Sequence, residues 1–158
     1  DMSDMFNETG YSNINFTLDI SNFDTIQVTN MSNMFKKTGY NSTLFTLDIS
    51  NFNTNNVTNM SHMFYSAGYK SPVYELNVSN FNTSKVENLE AMFQYCGNEA
   101  LTSLDLGDLF DTSNVTDMQS MFESMGFNAN QMTINLGEFD TSSVVNMSKM
   151  FEYTLYKE

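Results

Sequence analysis

Phe110-Asp111-Thr112-Ser113-Asn114-Val115-Thr116-Asp117-Met118-Gln119-Ser120-Met121-Phe122 decides the fold, because the pattern returns with substitutions at one fixed period throughout the chain. Its closing Met-Phe pair ends at Phe6, Phe35, Phe64, Phe93, Phe122 and Phe151, a 29-residue period. The same period carries Phe23, Phe52, Phe81, Phe110 and Phe139, then Thr25, Thr54, Thr83, Thr112 and Thr141, and Val28, Val57, Val86, Val115 and Val144. Gly10, Gly39, Gly68, Gly97 and Gly126 keep it too, which points to a backbone position needing positive φ or close approach. A fixed period of this length marks a stack or array of units rather than a compact enzyme fold.

Each unit reads in two halves. Phe45-Thr46-Leu47-Asp48-Ile49-Ser50 alternates apolar and polar residues, as do residues 16–21 and 74–79, the pattern of a half-buried strand. Met31, Met34, Phe35 and Thr38 follow i, i+3, i+4, i+7, and Met60, Met63, Phe64 and Ala67 repeat the spacing, which predicts a short helix. Thr29 or Asn30 is placed to cap its start, Gly39 to end it in a left-handed conformation, and Tyr40 to pack just beyond. Residues 52–58 are expected as a turn and an extended bridge, since Val-Thr-Asn is poor helix material. In the fourth unit one residue is lost after Gly97 and one gained before Phe110, so the period survives. One unit buries too little apolar surface to offset the entropy of ordering its own backbone, so stability must come from neighbouring units. The expectation is an α/β repeat solenoid over residues 1–158, with five strands in a parallel β-sheet on one face and six short helix units on the other.

The stretch from Phe110 to Phe122 resembles the signature of bacterial surface-protein (BspA-like) leucine-rich repeats of the mycoplasma-lipoprotein type. Leu101-Thr102-Ser103-Leu104-Asp105-Leu106 is also similar to the L-x-x-L-x-L strand of leucine-rich repeats in general. The resemblance implies a leucine-rich-repeat-like, right-handed, curved coil stack. It also implies display at the cell surface or outside the cell, with adhesion or partner binding, and brings no catalytic residue, metal ligand or cofactor. The chain departs from the general pattern where Phe52 and its equivalents replace an expected asparagine ladder, and from the mycoplasma-type unit by the longer loop at residues 41–44.

Charge and composition narrow the function further. Nineteen acidic residues against six lysines give a net charge of −13, which argues against a nucleic-acid partner. No run of eighteen apolar residues is present to insert into a membrane. The 41% apolar content belongs to a folded chain rather than a disordered one. The first residue is Asp1 rather than methionine, which suggests processing or a fragment. Cys96 is the single cysteine and excludes an internal disulfide framework; its place one step before Gly97 reads as a buried structural thiol. His62 is the single histidine and reads as a solvated residue on the outer side of the expected helix. Asp105, Asp108 and Asp111 lack a calcium-loop pattern and read as surface carboxylates. Ten Asn-x-Ser/Thr sequons, among them Asn7, Asn30, Asn56, Asn59 and Asn114, follow more simply from repetition than from glycosylation. Tyr11, Tyr40, Tyr69 and Phe127 either form an aromatic ridge or make local contacts after the glycine, and their position favours the second.

With no recurring nucleophile and base, the expected function is non-enzymatic, and the best binding candidate is the outward sheet face. Alternation places there Thr17, Asp19 and Ser21; Thr46, Asp48 and Ser50; Glu75, Asn77 and Ser79; Ser103 and Asp105; and Thr133 and Asn135. This ladder of hydroxyls and acids suits a basic or polar protein partner. The alternative is a structural subunit of an extracellular filament or surface layer. The chain starts and finishes with a helix unit that lacks a polar cap, so either more protein adjoins or the ends meet other subunits.

Overall fold

The computed structural model describes residues 1–99 and 101–156. Four short strands form: β1 (Asn15–Asp19), β2 (Leu44–Asp48), β3 (Ser103–Asp105) and β4 (Thr133–Asn135). β1 pairs in parallel with β2, and β3 with β4, as two separate two-stranded sheets. Among the described residues no helix forms. The expected leucine-rich-repeat-like α/β solenoid, with short helices and a continuous five-stranded sheet, is therefore overturned, and most of the chain is turns and irregular backbone.

Backbone N–H groups explain why the helix does not form. In residues 31–42, Met34, Lys36, Thr38, Tyr40 and Ser42 each donate three residues back, closing overlapping turns. Met31, Asn33, Phe35 and Lys37 instead donate across to Asn59, Ser61, Met63 and Tyr65 of the following unit, at 2.7–2.9 Å. An α-helix would send every donor four residues back and leave none for its neighbour. Left-handed backbone enforces the choice. Asp4, Asn33, His62, Ala91, Ser120 and Lys149 have φ between 52° and 61°, and Glu8, Lys37, Ser66, Tyr95, Ser124 and Tyr153 between 54° and 59°. Each residue held in that conformation costs roughly 1–2 kcal/mol, and the cross-unit bonds offset it. Asn30, foreseen as a helix cap, instead accepts from the Ser32 N–H at 3.0 Å in a local turn, repeated at Asn59, Asn88, Asp117 and Asn146.

Side-chain burial nevertheless follows the expected stripe. Met31, Met34, Phe35 and Thr38 are fully buried, and so are Met60, Met63, Phe64 and Ala67. The Met-Phe phenylalanines stack from Phe6 through Phe35, Phe64, Phe93 and Phe122 to Phe151, with ring centroids 5.3–5.7 Å apart and nearly parallel planes. Units one period apart therefore lie directly on one another, and the core is a set of such columns.

The regular spacing of threonines has a second cause. The buried Thr54 hydroxyl donates to the Asn82 carbonyl at 2.9 Å and accepts from the Asn82 N–H at 2.8 Å, clamping the backbone of one residue of the next unit. Thr25 grips Asn53 and Thr112 grips Asp140 in the same way.

The sheet breaks where the repeat slips. Leu104 falls one position short of a full period after Leu76 and pairs with Ile134, one position beyond a full period, whereas β1 and β2 pair at the 29-residue period itself. Pro72 removes one donor at the approach to the third unit. Residues 74–79 consequently form a single bridge, Phe45 to Tyr74, and no strand. The slip is contained, because Phe81, Phe110 and Phe139 resume the common spacing.

Candidate functional site

The outward face is built by strand alternation, which turns Phe16, Leu18, Phe45 and Leu47 inward and leaves their neighbours outside. Thr17 lies beside Thr46 and Asp19 beside Asp48 on the first sheet. Ser103 lies beside Thr133 and Asp105 beside Asn135 on the second. Of the thirteen residues expected on this face, twelve are exposed and Ser21 is half-buried. The structure does not bring them into one flat ladder. Glu75, Asn77 and Ser79 belong to the third unit, which has a single bridge and no strand, and a cleft of ≈ 420 Å³ lined by Pro72, Tyr74, Leu101 and Ser103 opens between the two sheets.

Much of this polar surface is also engaged in its own turns. The Asp19 carboxylate accepts from the Ser21 N–H at 3.1 Å and the Ser21 hydroxyl at 2.7 Å. Asp48 holds Ser50, and Asn77 holds Ser79, in the same geometry. Asp105 and Asn135 accept from the N–H of Gly107 and Gly137. The serine hydroxyl, and then the serine N–H, hold the Asp19 and Asp48 carboxyls below the usual aspartate range. Both carboxylates are anions through neutral and mildly acidic conditions, and both are open to solvent.

The reactive side chains are absorbed by packing. Cys96 is fully buried, with its thiol 4.0 Å from the Tyr74 hydroxyl, and burial pushes it up to about 12, so it is a thiol and not a nucleophilic thiolate. His62 is not solvated as expected. It is half-buried, adopts φ 57° and leans on Tyr65 with ring centroids 5.8 Å apart. Burial holds its imidazole below the ordinary range, with the Glu90 carboxylate opposing and the Lys36 ammonium reinforcing the shift. Asp111 accepts from Ser113 and Asp105 from Gly107, and among the described residues no three His, Cys, Asp or Glu side chains converge to hold a metal.

Two surface features escaped the sequence reading. Asparagines serve as structural hydrogen-bonding groups: the Asn51, Asn56, Asn80 and Asn114 amides donate to carbonyls of the preceding unit. Two of these, Asn56 and Asn114, are sequon residues with packing roles of their own. Tyr11, Tyr40 and Tyr69 do not settle into local contacts. They stack on one another, with centroids 4.9 and 5.0 Å apart. Phe127 stands apart from that ridge and pairs with Tyr156. The recurrence of Asn and Asp two residues before Ser or Gly was the available signal for the turns; the ridge left only the spacing of its tyrosines.

A family model described as Mycoplasma protein of unknown function, DUF285, matches the chain over residues 1–99 and again over 97–156. The match agrees with the resemblance to mycoplasma-type repeats and does not single out the BspA-like group. No curated protein and no solved structure matches the chain.

Proposed function

The chain belongs to the DUF285 family, and from that premise we propose that it is a non-catalytic repeat module that binds a protein partner at the cell surface or outside the cell. The observation that carries the reading is the acidic, hydroxyl-rich face that stays exposed on both sheets while Cys96 and the aromatic columns are consumed by packing. Asp19 and Asp48, adjacent and ionised, favour a partner with a basic contact surface. The resemblance to surface-protein repeats supports the location.

Asparagine provides a clean test, because Asn77 and Asn135 already fill the aspartate position in two units with the turn intact. Replacing Asp19, Asp48 and Asp105 together by Asn removes three charges and keeps their acceptor oxygens. Binding of a basic partner recovered by crosslinking at the cell surface should weaken by about tenfold or more, mainly through a slower on-rate, with the thermal midpoint little changed. Unaltered binding of that partner removes this face from its role.

A further inference from the structure

On its sheet side, the joint between the third and fourth units lacks ties found at other joints. Asn41, Lys70 and Asn128 donate their N–H groups to the Tyr11, Tyr40 and Asn98 carbonyls of the preceding loop. Glu99, at the same position of the period, makes no such bond among the described residues. Residues 74–79 likewise form no bridge to the fourth unit among the described residues. The Asn51 and Asn80 amides reach back to the Ser21 and Ser50 carbonyls, but the next residue of that column is the exposed Leu109. Thr83 donates to the Asp111 carbonyl at 2.7 Å, yet the Asp111 N–H turns to Leu109, so the two-way grip of Thr25, Thr54 and Thr112 is halved. Between residues 69–83 and 99–112, Thr83 makes the only hydrogen bonds among the described residues, the second running from its N–H to the Leu109 carbonyl at 3.3 Å.

The turn side of the same joint is complete. Leu89, Ala91, Phe93 and Tyr95 donate to Asp117, Gln119, Met121 and Glu123, Asn88 bridges to Asp117, and the Asn114 amide reaches Ser84. Phe93 stacks on Phe122 at 5.7 Å. Local stability follows such bonds and packing, so a joint tied along one side and nearly untied along the other yields first on the untied side. We infer that this joint is a hinge: its sheet side opens while the turn columns hold, and the β1–β2 and β3–β4 halves tilt as separate bodies. The cleft lined by Tyr74, Leu76 and Leu101 is the mouth of that opening. The Tyr74 hydroxyl lies 4.0 Å from the thiol of Cys96, which is fully buried. Opening therefore uncovers Cys96, the single cysteine and a built-in reporter. The hinge belongs to the chain alone and requires no partner.

The test follows how fast a small thiol reagent labels Cys96 in the folded 158-residue chain, read by mass across a urea series below the unfolding transition. Reagent is kept at levels where labelling, not opening, is slow. Without urea, labelling should run about a hundredfold faster than global unfolding allows. Its urea dependence should be less than about half the global slope, because only part of the buried surface is uncovered. Thr83→Val removes the hydroxyl bond on the untied side and should speed labelling about fivefold. Thr54→Val removes the equivalent grip at the preceding joint; it should lower the global urea midpoint and leave labelling without urea within about twofold. Labelling of the unaltered chain with the full global slope would overturn the hinge, whatever the variants do. Rates indifferent to Thr83→Val, or raised equally by Thr54→Val, would place the opening elsewhere and overturn it as well.

Discussion

Phe64→Ala should destabilise the chain by ~3–5 kcal/mol, the range for emptying a fully buried phenylalanine site. Phe64 has no exposed surface, and its ring is stacked between Phe35 and Phe93 at 5.5 and 5.7 Å, with Phe81 tilted against it at 6.4 Å. The void would be closed above and below by rings fixed in their own stacks, so little collapse can relieve it. It also lies in the middle of the stack, where both adjoining interfaces are weakened at once. Phe151→Ala is the internal control. That ring stacks on Phe122 alone among the described aromatic residues and is 46% exposed, so its loss should cost about 1 kcal/mol. Urea unfolding of the two variants measures both values, and equal losses would contradict the columnar core.

The second large effect is expected at the glycine column. In Gly68→Ala the new Cβ would stand 2.6 Å from Cδ1 and 2.7 Å from Cγ of Tyr74, whose ring is fully buried on Phe45. With φ at 57°, a left-handed Ala adds about 1 kcal/mol of backbone cost, and forcing the ring aside about 1–3 more. A destabilisation of ~2–4 kcal/mol should appear in urea unfolding. Leu155 separates the two causes. It stands one period after Gly126, with φ 55° and a full side chain, where no strand ring follows among the described residues. Left-handed backbone is thus tolerated by other residues; it is the inward side chain of the following segment, a ring at Gly10, Gly39 and Gly68 and Leu101 or Met132 at Gly97 and Gly126, that demands glycine. An unperturbed Gly68→Ala protein would show that Tyr74 can move and that the column has another origin.

These two sites show how far sequence reasoning reached. The period, the apolar stripe and the strand alternation were legible, because burial depends on which side chains point inward. Met31, Met34, Phe35 and Thr38 are buried as their spacing requires. The backbone was misread because overlapping turns place side chains inward at the same i, i+3, i+4, i+7 positions as a helix does. What differs is where the N–H groups go, and a hydrophobic pattern is silent on that. One signal was present: the two columns that adopt positive φ, from Asp4 to Lys149 and from Glu8 to Tyr153, contain no Val, Ile or Thr. Beta-branched residues are the ones that left-handed backbone tolerates least.

The candidate face was legible for a similar reason and incomplete for another. Alternation located Asp19, Asp48 and Asp105 correctly on the outside, yet the break after the third unit depends on how the slip after Gly97 is shared with Pro72. The tyrosine ridge was visible only as an equal spacing.

The direction of the cross-unit bonds has a consequence for how such a molecule changes over generations. In each inner unit the N–H groups at the positions of Met31, Asn33, Phe35 and Lys37 are given to the successor, while the N–H at the position of Gly39 is given to the predecessor. Removing or duplicating a whole 29-residue block keeps the turn-segment bonds of each remaining joint in the same pattern, whereas cutting one at mid-block strands donors without acceptors. Length is therefore a freely adjustable trait of this design, counted in whole blocks as beads are counted on a string.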